Sequence, residues 1–499
     1  MESSQTPEPV IALRWCALWM ILIALLLVGA QMSSAHAAAP APVMGDMTSV
    51  TAVAEFPEFE IEGCCKLCPA AASPGSYSTS FLRSFTMLRE GQDGWLFRSD
   101  DDLRISFGPD EAGLQDLVRL NQALKKKGVT LVMVIQPPRG LMHREKLSSA
   151  DRANYNHELA QFSYTNMLKR LRAAGIVVPD LERLVYERGG QDFFFKADHH
   201  WTPEGARRTA VLTAEAIRDL PQYKQVEHRK FVTRPAGLFA KRGTLSRAAE
   251  RICGFGAPSQ YVRTYTTEPL EDDGGASLLG ETEAPPVILV GTSNSDPTYN
   301  FSGFMSEALG IDILNASIAG GGMDGAILAF MRSAEFQQTP PKILVWELEA
   351  YHNVSDPEFY RQAIPLVDDG CQRKPVALKD ARPLKPGRNE ILFNGNGQVR
   401  ELRSKDYLID LQFSDPAVTD LDAVVWYTNG RRDTVTLETD HSDGKGRFLF
   451  ELRDDGDWAG FTFLSMDVEL PPGAPGGGTL EARLCERVTP AKRMQTASR

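Results

Sequence analysis

The fold class that the sequence predicts is a parallel α/β domain followed by a smaller all-β sandwich domain. Three observations predict it: helix-like segments that lead into buried strands, three later apolar runs of strand length, and a change to short alternating runs beyond Lys374. The chain has 499 residues and is 42% hydrophobic. Single domains seldom exceed roughly 250 to 300 residues, so we expect two or three domains.

The first helix-strand unit spans residues 114–135. Leucines at positions 114, 117, 120 and 124 fall on one helical face, and lysines at 125–127 suit the negative end of the helix dipole before Gly128. Residues 129–135 are then apolar except for Thr130, the pattern of a strand buried on both faces. The unit repeats with a helical face at 160, 164, 167 and 171 and a short strand at 176–178. Repeated units of this kind predict a layered α/β domain.

Three later runs, at 287–290, 311–314 and 343–346, are apolar apart from Asp312, have strand length and are separated by helix-like segments. This order predicts a parallel, doubly wound sheet. Ligands bind at the carboxyl ends of the strands in such sheets. Residues 291–295 directly follow the first run and therefore lie where chemistry is expected.

The region beyond Lys374 consists of short runs with alternating polarity, which predict a β-sandwich. Asn429 and Gly430 separate two of these runs and favour a tight hairpin, because both central residues of that turn need positive φ. The predicted strands lie at 391–393, 407–413, 424–427, 434–437, 448–452, 461–470 and 480–485.

The amino-terminal segment predicts export. Arg14 precedes an apolar run at 15–30, and Ala35-His36-Ala37 has the small-x-small pattern of a cleavage site. We expect a signal peptide at 1–37, the α/β domain at 38–370, the β-domain at 371–499 and a periplasmic location. The alternative is an uncleaved anchor, although the apolar run is shorter than the roughly 20 residues that a membrane span needs.

Six cysteines follow the predicted cleavage site and would face an oxidising compartment, where disulfides persist. Cys371 and Cys485 flank the β-domain, and a bridge between them would stabilise it by about 4 kcal/mol in the loop-entropy model. Cys253 is then available to pair with the cluster at 64, 65 and 68. The Cys-x-x-Cys spacing at 65–68 also occurs in redox and metal sites of cytosolic proteins.

The charge balance bears on the partners. The formal net charge is −11 and the isoelectric point is near 5.4. Nucleic-acid binding usually needs a basic face to neutralise phosphates, so we expect no nucleic acid among the partners. Any anionic ligand must find local positive charge.

The strongest local motif is Val-Ile-Leu-Val-Gly-Thr-Ser-Asn-Ser at 287–295, in which a buried strand leads into a turn that presents Ser293. Backbone N–H groups of such a turn can bind the oxyanion that develops in acyl transfer, and the dipole of a following helix adds positive potential. Ser293 is therefore the candidate nucleophile. The alternative is an ordinary serine that caps a helix.

A serine nucleophile needs a base, and the base needs an orienting acid. Asp198 and His200 lie two residues apart in Lys-Ala-Asp-His-His-Trp-Thr-Pro at 196–203. In an extended segment they point to the same side, so Asp198 can hold one imidazole nitrogen while the other faces Ser293. The alternatives are a structural cap for Asp198 and a metal site on His199 and His200, for which the sequence offers no third ligand motif.

A competing motif is Gly-Gly-Gly-Met-Asp-Gly at 320–325, which matches G-x-G-x-x-G and is followed about twenty residues later by Glu347, as in dinucleotide sites. The glycines begin several residues after the predicted strand, however, and an exported protein has no ready supply of nicotinamide nucleotides. We therefore expect a glycine-rich turn beside the acyl site, and neither a cofactor nor a metal.

The serine and histidine motifs, together with Gly-Trp-Leu-Phe at 94–97, resemble the periplasmic alginate O-acetyltransferases of the AlgX and AlgJ type, which belong to the SGNH-hydrolase-like group. The resemblance covers most of the mature chain, and the C-terminal β-domain makes it AlgX-like. It implies that Ser293 accepts an acetyl group and that His200 then activates a mannuronate hydroxyl of alginate. It also implies a carbohydrate-binding β-domain. Asn294 stands where an aromatic residue is expected.

Contacts to the polymer are expected from Tyr351, which lies just beyond the last core strand, and from basic residues that suit uronate carboxylates. The alternatives are simple packing for Tyr351 and a solvated charged surface for the others. The basic candidates are Arg400, Arg403, Lys405 and Arg431, with Arg432 beside them and with Tyr407 and Trp426 interleaved.

The expected partners are alginate or a related anionic polysaccharide, an acetyl donor, and other exopolysaccharide biosynthesis proteins. Two other function classes stay open at this point. One is a secreted carbohydrate acetylesterase that uses the same triad with water as acceptor. The other is a scaffold that binds polysaccharide without catalysis.

Overall fold

The structure is a computed structural model that describes residues 67–187, 189, 191–270, 285–395, 397–439, 445–470 and 478–487. The predicted signal peptide at 1–37, as well as Cys64 and Cys65, lies outside the described residues. In the described ranges, no helix combines the length and the apolar character that a bilayer crossing requires.

Helices dominate the chain before residue 370, and strands dominate it afterwards. The α-helices are Ser80–Arg83, Ser99–Asp102, Glu111–Lys126, Arg139–Met142, Ser149–Asn154, His157–Ala173, Glu182–Tyr186, Pro203–Arg218, Thr244–Cys253, Phe301–Leu309, Gly325–Arg332, Ala334–Gln338 and Pro357–Val367. The strands are β1 (Leu88–Glu90), β2 (Leu96–Arg98), β3 (Thr130–Gln136), β4 (Phe231–Lys241), β5 (Gln260–Pro269), β6 (Val287–Val290), β7 (Ile313–Asn315), β8 (Ile343–Glu349), β9 (Val376–Pro383), β10 (Gly387–Phe393), β11 (Tyr407–Phe413), β12 (Asp420–Tyr427), β13 (Arg432–Glu438), β14 (Arg447–Glu451), β15 (Phe463–Leu470) and β16 (Thr479–Glu486).

A parallel sheet with the order β3-β8-β6-β7 forms the centre of the first domain. Every residue of β3, β6 and β8 is buried, as expected for strands covered on both faces. The predicted strand at 176–178 is wrong: it forms one parallel bridge, from Val177 to Val132. Pro179 follows directly and cannot donate a ladder hydrogen bond, so the pairing does not extend. The parallel α/β prediction is confirmed.

The second domain contains two antiparallel four-stranded sheets, with the orders β10-β15-β12-β13 and β14-β11-β16-β9. Apolar residues from both sheets form one shared core. The turn at Asn429 and Gly430 joins β12 to β13, so the predicted hairpin is confirmed. Gly430 has a φ of +83°, but Asn429 does not have positive φ, so the expectation that both central residues adopt it is wrong. The sequence patterns found the other strands of this sandwich but missed β9.

An antiparallel ribbon of β4 and β5 was also missed by the sequence patterns. Most residues of the two strands are exposed or only half-buried, so they carry no core-facing alternation. The ribbon matters for function because its strand β4 ends at Lys241, which contacts the site described below.

Two disulfides are present in the described chain. Cys371 and Cys485 are joined across 114 residues, and Cys253 is joined to Cys68 of the amino-terminal cluster. Both pairings match the sequence expectations. The first bridge ties the last strand of the β-domain to the point at which the chain enters that domain.

Ion pairs that are buried or half-buried hold the β-domain against the helices of the first domain. Arg361, on helix Pro357–Val367, lies 2.7 Å from Asp433 and donates to the carbonyl oxygen of Glu451 at 2.9 Å. Arg119, on helix Glu111–Lys126, lies 2.6 Å from the Glu451 carboxylate. Both arginines belong to the first domain and contact acidic residues of the second, so the two domains share a polar interface.

Candidate active site

The structure brings the three predicted catalytic side chains together. Ser293 Oγ lies 2.8 Å from His200 Nε2, and His200 Nδ1 lies 2.5 Å from Asp198 Oδ1. Asp198 also accepts hydrogen bonds from the backbone N–H groups of His200 and Thr244, at 2.8 and 2.7 Å. Burial alone raises the pKa of Asp198, but His200, His199 and Lys241 outweigh it and hold that pKa well below its usual range. Asp198 is thus a carboxylate that can orient His200.

The nucleophile turn, residues 291–295, follows β6 and is held by hydrogen bonds within the turn and to Glu347 of β8. Thr292 caps the short 3₁₀-helix Ser293–Ser295 by accepting from the Asn294 N–H at 3.2 Å. Ser293 is therefore not the capping residue, and the capping alternative is wrong. Glu347 accepts hydrogen bonds from the Thr292 N–H and the Ser295 hydroxyl, both at 2.9 Å. With these N–H groups engaged, the Ser293 N–H is the candidate oxyanion donor.

Gly291 is required at the start of this turn because the turn approaches β8 closely. A β-carbon at position 291 would lie 2.6 Å from Glu347 Oε2 and 3.0 Å from the Ser295 hydroxyl. A larger residue would push the carboxylate away from the Thr292 N–H. The glycine of the sequence motif therefore serves close packing on Glu347.

The loop that carries Asp198 and His200 is held by Arg139, which the sequence patterns did not identify. The Arg139 guanidinium is fully buried and donates to the carbonyl oxygens of Phe195 and Asp198 at 2.6 Å, and to those of Leu96 and Lys196 at 2.8 and 3.0 Å. Burial lowers the pKa of Arg139 to about 10. The sequence signal that could have identified Arg139 is its position just beyond β3, at the carboxyl edge of the sheet where functional residues are expected.

Lys241 and Tyr299 are two further neighbours of the triad that sequence reasoning missed. Lys241 Nζ lies 2.6 Å from the Tyr299 hydroxyl and 3.6 Å from Asp198 Oδ2. The Tyr299 ring lies 5.4 Å from the His200 ring, and burial raises the pKa of Tyr299 well above its usual range. Tyr299 is therefore a neutral phenol packed beside His200, and Lys241 adds positive charge beside Asp198.

His199 does not contact the nucleophile. Its Nδ1 lies 2.7 Å from the Thr244 hydroxyl, its ring packs on that of His200 at 3.8 Å, and burial lowers its pKa well below the usual range. Asp198, His199 and His200 each have a potential ligand atom within 4.8 Å of the others. A metal ion there would have to break the contact between Asp198 and His200, so the arrangement fits a triad better.

The glycine-rich segment 320–325 does not match a dinucleotide site. Strand β7 ends at Asn315, several residues before the glycines. Gly320 and Gly322 have positive φ and form a turn before helix Gly325–Arg332. Glu347, the acidic residue of the supposed fingerprint, is fully buried beneath the nucleophile turn. It is therefore not placed to bind a ribose.

Tyr351 lies beyond the carboxyl end of β8, at the same edge of the sheet as Ser293. Its ring is half-buried and lies 4.7 Å from the guanidinium carbon of Arg98. Burial raises the pKa of Tyr351 well above its usual range, and Glu349 contributes in the same direction. Its proposed contact with substrate stays a prediction.

The four predicted basic residues of the β-domain are exposed but differ in their partners. Arg403 lies 2.5 Å from Glu401, which balances its charge, and Arg400 donates to the Ala377 carbonyl at 2.5 Å. Arg431 lies over the rings of Phe461 and Trp458, at 5.2 and 5.8 Å. Lys405 follows directly after the buried Ser404 and is exposed. Polymer binding by Arg400, Arg403, Lys405 and Arg431 stays a prediction.

A second cluster of arginines surrounds Trp426 on the outer face of the β10-β15-β12-β13 sheet. The guanidinium carbons of Arg388 and Arg432 lie 5.5 and 5.8 Å from the half-exposed indole ring. The indole N–H donates to Asp467 at 2.7 Å, which fixes the ring. Sequence reasoning named Trp426 and Arg432 but missed Arg388, which lies on a different strand.

Known proteins share this combination of domains. The family described as "SGNH hydrolase-like domain, acetyltransferase AlgX" matches residues 88–350, a little over half of the chain, and this range includes Asp198, His200 and Ser293. The chain belongs to the AlgX family. A family described as a C-terminal carbohydrate-binding module matches residues 370–497.

Individual relatives agree with this assignment. The alginate biosynthesis protein AlgX of Pseudomonas aeruginosa is 42% identical over 443 residues, which are 89% of this chain and 93% of the relative. The solved structure of Pseudomonas aeruginosa AlgX covers 85% of this chain and 100% of that chain with a TM-score of 0.77 at 43% identity. The probable alginate O-acetylase AlgJ of Pseudomonas fluorescens is 31% identical over 304 residues, 58% of this chain and 75% of the relative. The SGNH-like fold with a C-terminal β-domain is thereby confirmed.

Proposed function

We propose that this protein O-acetylates mannuronate hydroxyls of alginate in the periplasm through an acetyl-enzyme intermediate on Ser293. The observation that carries the proposal is the continuous contact from Ser293 through His200 to Asp198, at 2.8 and 2.5 Å. The names of the relatives, alginate biosynthesis protein and probable alginate O-acetylase, support alginate as the acceptor.

In the first half-reaction, Ser293 Oγ bonds to the carbonyl carbon of the acetyl donor while its proton passes to His200 Nε2. Asp198 stabilises the imidazolium that forms. The Ser293 N–H donates to the oxyanion of the tetrahedral intermediate. When the intermediate collapses, the bond to the leaving group breaks, and the leaving group takes the proton from His200.

In the second half-reaction, a sugar hydroxyl bonds to the carbonyl carbon of acetyl-Ser293 and gives its proton to His200 Nε2. Collapse of this intermediate breaks the bond to Ser293 Oγ, which recovers the proton from His200. His200 is thus the base twice. If water replaces the sugar, the same steps hydrolyse the ester, which is the acetylesterase alternative.

The β-domain is the proposed site that holds the polymer. The apolar face of Trp426 suits a sugar ring, and the guanidinium group of Arg432 suits a uronate carboxylate, whereas the charge of Arg388 is balanced by Asp467 at 2.5 Å. The match to a carbohydrate-binding module supports this role. Arg431, which lies over Phe461 and Trp458, offers a second exposed cation beside aromatic rings.

The two disulfides support the periplasmic location, because such bridges persist in oxidising compartments. The relatives named as alginate biosynthesis proteins support other exopolysaccharide biosynthesis proteins as partners of this chain.

The decisive experiment incubates the pure protein with a chromogenic acetyl ester, with and without oligomannuronate. Transfer predicts that the oligosaccharide gains acetyl groups, which mass spectrometry measures, and that Ser293→Ala, His200→Ala and Asp198→Ala each abolish most of the activity. The losses should not add, because the three residues act as a unit. Release of free acetate without acetylated sugar would identify an esterase. Normal turnover by folded Ser293→Ala would reject the triad, and no turnover by wild type would favour the scaffold.

A further inference from the structure

Asn294 is a fully buried residue that joins two parts of the site. Its side-chain oxygen accepts from the Trp201 backbone N–H at 3.1 Å, and its backbone carbonyl accepts from the Trp201 indole N–H at 2.7 Å. Asn294 directly follows Ser293, and Trp201 directly follows His200. These two hydrogen bonds therefore connect the nucleophile turn to the loop that carries the base.

The amide nitrogen of Asn294 has a different partner. It donates to Glu349 Oε1 at 2.5 Å, and Glu349 Oε2 lies 2.6 Å from His352 Nε2. Burial alone raises the pKa of Glu349, but His352 outweighs it and holds that pKa below the usual value. The acceptor of Asn294 is therefore a carboxylate at the end of β8.

These partners fix the orientation of the Asn294 amide. If the amide were rotated by 180°, its NH₂ group would face the Trp201 N–H, and its oxygen would face the Glu349 carboxylate. Both contacts would be repulsive, because donors would meet donors and acceptors would meet acceptors. Buried polar groups left without partners destabilise the folded state. Glu349 thus selects the one orientation that keeps Trp201 bonded.

We propose that Asn294 is a positioning residue that sets the distance between Ser293 and His200, and that Glu349 acts through it by fixing its amide. This inference rests on the proposed function of the triad. A small displacement of Ser293 relative to His200 can lower the rate about 100-fold. The hydrogen bonds of Asn294 set this distance without contacting the substrate, so their loss should lower kcat more than it raises KM. It also gives a role to the position at which this chain departs from the expected aromatic residue.

The test exchanges the donor and the acceptor. Asn294→Asp places a carboxylate against Glu349, and we expect kcat for the chromogenic acetyl ester to fall about 10- to 100-fold with KM within about twofold. Glu349→Gln in the same chain supplies an amide that donates to the new carboxylate at position 294, while Trp201 and His352 keep acceptors. The double variant should recover at least about half of the lost kcat on a logarithmic scale.

Controls separate this inference from the proposed function. Asn156→Asp is a matched change at an exposed helix cap, where aspartate serves equally well, and kcat should not change. Circular dichroism gives the folded fraction of every variant. Three results would overturn the inference and leave the Ser293→Ala result standing. The first is a wild-type kcat in Asn294→Asp, the second is a loss of kcat no larger than the loss of folded protein, and the third is no recovery of kcat in the double variant. An active Ser293→Ala protein would instead reject the triad itself.

Discussion

Glu347 offers a test of the charge beneath the nucleophile turn through the pH dependence of stability. The side chain is fully buried and is two residues from Glu349 on β8. Burial, with a further contribution from the charge of Glu349, raises the pKa of Glu347 from 4.5 to about 7, although the bonds from Thr292 and Ser295 act in the opposite direction. The folded protein therefore holds a proton that the unfolded chain has already lost near pH 6.

The raised pKa determines both the sign and the size of the effect. Below about pH 4.5 both states are protonated, and the stability that the proton confers is fully present. As the pH rises from about 4.5 to about 7, the unfolded state ionises first, so the free energy of unfolding falls. Each pH unit corresponds to 1.36 kcal/mol, so the shift of about 2.5 units amounts to about 3 kcal/mol.

The perturbation is Glu347→Gln, which is neutral at every pH. Urea unfolding, followed by tryptophan fluorescence, is measured for wild type and variant between pH 4.5 and pH 8. The free energy of unfolding of wild type relative to the variant should fall by about 3 kcal/mol across this range and then stay level. Glu390→Gln, at an exposed position of β10, is the matched control and should produce no such trend. A difference that is constant with pH for Glu347→Gln would refute the reasoning.

Three further predictions concern other parts of the chain. Replacing Cys371 and Cys485 with alanine should lower the free energy of unfolding by about 4 to 5 kcal/mol, given the separation of 114 residues. Non-reducing peptide mapping of wild type should recover the two cysteines as one linked species, and free thiols would contradict this. Arg139→Lys keeps the positive charge, but a lysine cannot donate to all four carbonyl groups that Arg139 contacts. The thermal midpoint and kcat should therefore both fall. An unchanged kcat would exclude a positioning role for Arg139. Replacing the basic residues of the β-domain should weaken oligomannuronate binding in calorimetry, and the loss of affinity should be larger at low salt, where charges are less screened. Hydrolysis of a small acetyl ester should be nearly unchanged. Undiminished binding would show that the polymer binds elsewhere. Two variants are compared, one replacing Arg400, Arg403 and Lys405 and the other replacing Arg388 and Arg432.

The sequence predicted those features that depend on neighbouring residues. Strands β6 and β11 have the predicted bounds, because β6 is apolar throughout and β11 alternates apolar and polar residues towards its end. Asp198 and His200 were found because an acid two residues before a histidine is a local pattern. Ser293 was found because a strand and a glycine turn precede it directly.

Features that depend on distant contacts could not be predicted in this way. Arg139 reaches carbonyl groups about 60 residues away, and Lys241 meets Tyr299 across 58 residues. The ribbon of β4 and β5 has little buried surface, so no periodic pattern marks it. The interaction of Asn294 with Trp201 spans 93 residues, and neither residue alone suggests it.

The bridge between Cys371 and Cys485 has a mechanical consequence. The two α-carbons lie 5.7 Å apart, so the chain enters the β-domain and leaves its last strand at nearly the same point. A force that pulls on the segment after Cys485 would pass through the covalent bridge to the boundary with the first domain. The strands between the two cysteines would carry none of that tension. The sandwich is therefore attached to the first domain at the bridge and through the ion pairs of Arg361 and Arg119, and traction along a polymer bound to its outer face would reach the first domain through these attachments.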